Sequence, residues 1–187
     1  MPGTIIIGKT CSGKTKIVDK LVSTYKYKKI VTYTSRPRRK GEVQGKDYHF
    51  ITEKDFKQKI EDNFFAEWKS YNTEFGVWYY GTALEDLENA DKKSIIILTP
   101  DGYRDLINKL SDKPTVIYIY ANNPTIMKRL KKRGDSKEEA QRRIEHDNAD
   151  FKGAEYLAQK IIYNNDGTDI NDVVEKIHKY IQMGDDK

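Results

Sequence analysis

The chain has 187 residues, with 34 Lys and Arg against 29 Asp and Glu, a formal net charge of +5 and one cysteine. That length suits one domain with room for a real core, and the apolar residues fall in blocks such as Thr4–Ile7 and Thr115–Tyr120, which excludes a disordered polyelectrolyte. One cysteine cannot staple a secreted scaffold, no apolar run nears the ~20 residues a bilayer requires, and MPGTIIIG lacks a signal-peptide pattern, so a cytoplasmic protein is expected.

Apolar blocks alternate with helix-period segments, which predicts an α/β fold with a mainly parallel sheet flanked by helices. Thr4–Ile7 reads as a buried first strand and Lys14–Tyr25 as a helix turning Ile17, Val18 and Leu21 inward. Residues 29–33 predict a second strand, 34–46 a polar loop and 47–51 a short strand. Thr52 with Asp55 is a capping-box pattern opening a helix to about Asp62. Residues 64–70 and 77–81 predict a strand pair, and Thr82 with Glu85 is read as the cap of a helix reaching Asn89. Residues 94–98 and Thr115–Tyr120 are near-continuous apolar runs, as in strands buried on both faces. Helices are predicted over 124–133 and 136–159, broken at Gly134. The strand Lys160–Tyr163 then precedes an amphipathic helix over 170–181, and the tail MGDDK is expected to be frayed.

Gly8-Lys9-Thr10-Cys11-Ser12-Gly13-Lys14-Thr15 fits the phosphate-loop pattern G-x-x-x-x-G-K-[ST] in full, between an apolar strand and a helix. Such a loop turns backbone N–H groups and a helix N-terminus toward phosphate oxygens, with Lys14 reaching the β/γ-phosphates and the Thr15 hydroxyl ligating Mg²⁺. Cys11 is read as a small residue where space is short, with no catalytic role.

Of the basic residues 26 are Lys and only 8 Arg, and Ile outnumbers Leu 20 to 8. This pattern fits an A/T-rich coding bias in which Lys is the default surface cation. Seven of the arginines lie in two stretches, Arg36, Arg38 and Arg39, then Arg129, Arg133, Arg142 and Arg143. Arg offers a rigid fork matching two phosphate oxygens at once, so its use where Lys is the default points to geometry. The first cluster sits in a flexible loop followed by Tyr48, a combination suited to a second bound phosphate. Taken alone, a Lys/Arg-rich exposed loop is ordinarily just solvated.

From Thr32 to Phe50 the chain resembles the T-T-R-x-P-R-x-G-E-x-x-G-x-D-Y-x-F signature of guanylate kinases. Phe65-Ala66-Glu67-Trp68, Tyr79-Tyr80-Gly81-Thr82, Arg129-Leu130-Lys131-Lys132-Arg133-Gly134 and Ile162-Tyr163-Asn164 resemble further elements of that family, in family order. The resemblance implies a P-loop NTPase-type core over about 1–33, 82–126 and 144–187, an NMP-binding region over about 34–81 and a helical lid over about 127–143. It implies Mg²⁺-dependent transfer of phosphate from ATP to GMP or dGMP. Arg36, Arg39, Tyr48 and Tyr80 would hold the acceptor phosphate, and Thr32, Glu67 and Thr82 would face guanine. Glu67 makes chemical sense there, since a carboxylate is acceptor-only and guanine offers adjacent N1–H and N2–H₂ donors. Arg129, Arg133 and Arg143 would close over ATP, with Asn164 at the donor side. Lys14, Arg36, Arg39, Arg133 and Arg143 would converge on the phosphoryl group in flight.

Three departures stand out. Pro37 follows Arg36 one position earlier than usual. The stretch 69–78 is about four residues longer, bringing in Phe75, Val77 and Trp78. Ile97 and Thr99 stand where the family has D-x-D, with Asp101 two residues further on, which leaves the base choice open between guanine, read by Glu67 with help from Thr99 or Asp101, and another base. The alternatives are a kinase of the same fold for another (d)NMP or a phosphorylated small molecule, and a non-catalytic binding module, against which the complete phosphate loop speaks. The Lys excess has no aromatic–basic interleaving of a nucleic-acid reader, so the expected partners are single nucleotides, with no polymer and no membrane.

Overall fold

In a computed structural model that describes residues 1–73 and 75–185, the chain folds around two sheets. The larger sheet is wholly parallel, in the order β2 (Lys28–Lys29), β7 (Ser94–Ile97), β1 (Thr4–Ile7), β8 (Thr115–Tyr120), β9 (Lys160–Tyr163). Its central strands read as unbroken Ile/Val runs because both faces are covered, and alternate residues serve opposite layers. Ile6, Ile95, Ile117 and Ile119 pack on α1 (Lys14–Tyr25) and α7 (Ile170–Asp185) through Ile17, Leu21, Val174 and Ile177. Ile5, Ile7, Ile96 and Val116 pack on the other side against Leu87 of α3 (Leu84–Glu88), Leu106 of α4 (Pro100–Ile107) and Phe151. Fully burying each of these side chains contributes roughly 1.5–3 kcal/mol, so the three-layer stack is the main source of stability.

The second sheet is built from residues 33–83, in the order β4 (His49–Phe50), β3 (Tyr33–Thr34), β6 (Gly76–Ala83), β5 (Phe65–Thr73). The strand expected over 29–33 is divided between the two sheets. Lys28–Lys29 pairs with β7 and Tyr33–Thr34 pairs with β6 and β4, so the apolar run between them is a crossing rather than a strand. Helix α2 (Glu53–Glu61) covers the second sheet, with Phe56 fully buried and stacked 4.4 Å from Phe65; the Thr52 cap is formed, accepting from the Asp55 N–H at 3.1 Å.

Helices α5 (Asn123–Arg133) and α6 (Lys137–Asp150) make a hairpin with its own small core of Ile126, Leu130, Ala140 and Ile144, against which Cys11 packs. Gly134 takes a left-handed φ of 99° and ends α5. Helix α6 stops nine residues before the expected Gln159. Gly153 is left-handed there, and Ala154–Leu157 form a 3₁₀ turn whose Ala154 enters the main core. The sequence reading assigns no helix after Thr99, yet Thr99 caps α4 by accepting from the Gly102 N–H at 3.1 Å, and Pro100 sits at its first position. Thr82, read as a cap, lies instead inside β6, and α3 starts from Ala83 with no side-chain cap. Helix α7 runs on through Met183, Gly184 and Asp185 of the tail; 186–187 and Glu74 of the long 69–78 stretch lie outside the described residues.

Candidate active site

A cavity of about 280 Å³ runs from the phosphate loop at Gly8, Thr10 and Lys14 to Glu67 on the second sheet, with α6 along one side. The loop leaves the end of β1 and enters α1 through Gly13, whose φ is 103° and whose missing Cβ would stand 2.3 Å from Asn164 Nδ2. Both the backbone turn and the close approach therefore require glycine. Lys14 is folded back on the loop, its Nζ donating to the Gly8 carbonyl at 2.5 Å and the Lys9 carbonyl at 2.8 Å. Burial lowers its pKa to about 8, against which Asp147 pulls upward. The Ser12 Oγ is buried with no hydrogen-bond partner among the described residues, and Thr15 stands exposed in the first turn of α1.

Arg129 and Asn164, expected to touch the donor nucleotide, brace the loop from behind instead. Arg129 donates to the Cys11 and Ser12 carbonyls at 3.0 and 3.2 Å and to the Asn164 carbonyl at 2.9 Å, while Asn164 Nδ2 donates to the Ser12 carbonyl at 2.7 Å. These contacts occupy carbonyl oxygens of the loop, while the Ser12 N–H donates to the Lys9 carbonyl at 3.2 Å and the Thr10 N–H to Asp147 at 2.5 Å.

Arg36 and Arg39 of the first arginine cluster both line the cavity. Arg36 is 3% exposed, donates from Nη2 to Glu42 Oε1 at 2.7 Å, and lies 5.6 Å from the centres of the Tyr48 and Phe50 rings. Glu42, part of the motif but assigned no role from sequence, also accepts the Arg39 backbone N–H at 2.7 Å and so shapes the whole turn. Burial alone would raise its pKa; the Arg36 hydrogen bond, the Arg39 N–H and both positive charges outweigh that and hold it below the usual carboxylate range. The Arg39 guanidinium has no ion-pair partner among the described residues, and burial followed by the charges of Arg36, Arg133 and Arg143 lowers its pKa. An anion placed there would relieve that repulsion. Tyr48 and Tyr80 line the same wall, and burial pushes the Tyr48 hydroxyl up to about 12, so it is a neutral hydrogen-bonding phenol at working pH.

Arg133 at the end of α5 and Arg142 and Arg143 of α6 pair with carboxylates. Arg133 grips Asp135 with two bonds at 2.7 and 2.8 Å and is not on the cavity wall. Arg143 does line the cavity, sharing Asp135 at 3.5 Å and Glu139 at 2.5 Å with its neighbours. The Arg142 hydrogen bond first, and then Arg143, hold Glu139 down to about 2.

Glu67 forms the far end. A register shift between Phe65 and Glu67 sets Glu67 directly across from Thr82. Such a bulge turns a side chain to a chosen face. The buried Thr82 hydroxyl donates to Glu67 Oε1, so Thr82 aims the carboxylate and does not itself line the cavity. Gly102 leaves room for it, since a Cβ there would sit 3.2 Å from Glu67 Oε2. Burial raises the Glu67 pKa and the Thr82 hydrogen bond opposes the rise. Thr32, Ile97 and Thr99 are on the wall. Asp101 is not: its carboxylate pairs with Arg104 at 2.7 Å on the exposed side of α4. Trp78, brought in by the longer 69–78 stretch, completes the enclosure with Tyr71, His146 and Asp150, which were not singled out from sequence; Phe75 and Val77 are not on the wall. Tyr71 and Trp78 are cross-strand partners on the lengthened hairpin, and Tyr71 meets His146 of α6 edge-on at 6.2 Å. The extra hairpin length was the readable signal for them.

A parallel α/β core with a complete phosphate loop, facing a separate sheet that carries arginines, phenols and one buried carboxylate, defines a P-loop nucleoside monophosphate kinase. The chain belongs to the guanylate kinase family: the family model "Guanylate kinase" matches residues 1–183. It is 32% identical over 176 residues to the guanylate kinase of Bdellovibrio bacteriovorus, covering 92% of this chain and 89% of that one. With the Schizosaccharomyces pombe enzyme it shares 30% over 190 residues, covering 95% and 87%. In fold it is similar to the crystal structure of guanylate kinase from Anaplasma phagocytophilum, with a TM-score of 0.67 at 22% identity, over 97% of this chain and 84% of that one. It is also similar to the Bacillus subtilis YorR protein, solved with phosphorylated GDP, at a TM-score of 0.57, 18% identity and 98% coverage of both chains. Among the described residues no helix is long and apolar enough to cross a membrane.

Proposed function

We propose that the protein transfers the γ-phosphoryl group of ATP to GMP or dGMP, yielding ADP and the diphosphate. The observation that carries this reading is the single cavity joining Lys14 of the phosphate loop to the buried Glu67 carboxylate. In this reading residues 34–81 hold the acceptor nucleotide, 127–143 form the lid, and the remainder is the core. Lys14 and the loop N–H groups bind the donor phosphates, Arg39 with Arg36, Tyr48 and Tyr80 binds the acceptor phosphate, and Glu67, held by Thr82, accepts from guanine N1–H and N2–H₂. Arg133 and Arg143 exchange Asp135 and Glu139 for phosphate oxygens as the lid closes and water is excluded.

Mg²⁺ fits this chain through Thr15. No group of three or more His, Cys, Asp or Glu is gathered for a metal among the described residues, and Mg²⁺ usually needs only one or two protein oxygens beside substrate phosphates. When bound, it neutralises phosphate charge. The chain's own contribution is positioning and charge: it brings the acceptor phosphate and the γ-phosphate together and surrounds the equatorial oxygens with cations, and no covalent intermediate is required.

An ADP-release assay with ATP, Mg²⁺ and each of the eight common (d)NMPs tests it. Turnover with GMP or dGMP foremost is expected. No acceptor-dependent turnover would remove the enzymatic reading, and a preference for AMP or a pyrimidine would remove the guanine assignment alone.

A further inference from the structure

We infer that Asp147 of α6, unused in the roles above, sets the affinity for the donor nucleotide by occupying the phosphate loop until a phosphate displaces it. The inference rests on the reading that this loop binds ATP. Asp147 Oδ2 accepts the backbone N–H of Thr10 at 2.5 Å. The next residue on the helix, Asn148, accepts from Lys9 Nζ through its side-chain oxygen, so two consecutive residues of α6 engage two consecutive residues of the loop. A loop between a strand and a helix N-terminus turns its N–H groups toward anions, and a carboxylate oxygen offers the acceptor chemistry of a phosphate oxygen. Asp147 lines the cavity beside Thr10 and Lys14, and its charge acts favourably on both Lys9 and Lys14. A phosphate on the Thr10 N–H must take that acceptor's place, and a negative charge left nearby would oppose it.

The position on the helix gives the contact a consequence. Arg143 is four residues before Asp147, so the two project from the same face of α6, one turn apart. One face thus carries a cation suited to the incoming phosphate and an anion that stands in for it. Displacing Asp147 from Thr10 frees the stretch of α6 that presents Arg143, which links donor loading to the arginine's approach.

The test is calorimetric titration of ATP, with Mg²⁺ and without acceptor, into the wild type, Asp147→Asn and Asp147→Ala. Alanine removes both charge and acceptor and is expected to bind ATP about tenfold more tightly, the scale of one charge-assisted hydrogen bond no longer displaced. Asparagine keeps an acceptor and should fall between. KM for ATP should drop in parallel while KM for GMP stays put. Without nucleotide both variants should melt below the wild type, and ATP should raise their melting temperature by more than it raises the wild type's; a purely structural contact would give the first change without the second. ATP binding equal to or weaker than wild type in folded variants overturns the inference, and asparagine carries the test alone if alanine does not fold. A wild type that binds no ATP overturns the functional reading instead.

Discussion

The two ends of the cavity are built on opposite plans. At the phosphate-loop end the backbone supplies the chemistry: a loop of eight consecutive residues, two of them glycines, is held through its carbonyls by Arg129 and Asn164. At the other end side chains supply it, and two of them are aimed by another side chain, Arg36 by Glu42 and Glu67 by Thr82. A backbone site tolerates little variation in sequence because its geometry is the loop itself. A side-chain site can change a member and keep its shape. Thr99, where the family pattern has a carboxylate, shows this: it caps α4, accepts from the Tyr71 hydroxyl at 3.4 Å, and still walls the pocket.

If the contrast is right, the phosphate-loop end should fail as a unit and the other end by degrees. Lys14→Ala should lower kcat/KM by about 10³-fold or more, since it removes the loop cation that lines the cavity; steady-state kinetics with GMP checks it. Glu67→Gln should lower kcat/KM for GMP about 100-fold by replacing one acceptor oxygen with a donor facing guanine's donors, with KM for ATP unchanged. A rise in KM for both substrates would mean that Glu67 serves the fold rather than the base. Arg39→Lys keeps the charge and loses the fork, and turnover should fall about tenfold; an unchanged rate would return that loop to mere solvation.

The smallest effect is on pH. Free Lys14 loses its proton near pH 8, and a bound phosphate favours the charged form, so binding takes up a proton above that pH. ATP affinity measured by titration should be level below about 8 and decline above it, by at most about tenfold per unit for one proton. A decline beginning lower would assign the titration to another group.

Much of this was legible along the chain, and the misses share a cause. The phosphate loop, the Thr52 cap and the Ile/Val strands depend on neighbours within a few residues, and all stand as read. Helix α4 is also legible in principle, since Thr99-Pro100 is a cap followed by a first-turn proline. Arg133 is placed over ATP by the resemblance, and in the fold it is bonded to Asp135, two residues along.

By itself the sequence determined the parallel α/β core, the phosphate loop and the two arginine clusters, because strand burial, glycine-dependent turns and a fork of N–H donors are properties of residues and their near neighbours. Only the tertiary structure decided which of those groups face the cavity. Arg129 turns to the back of the loop 118 residues away, a bulge sets Glu67 against Thr82, and Asp147 crosses 137 residues to reach Thr10. Charge and hydrogen-bonding capacity are written in the chain, but a buried polar group takes whichever partner packing brings within about 3 Å, and packing is a property of the whole fold.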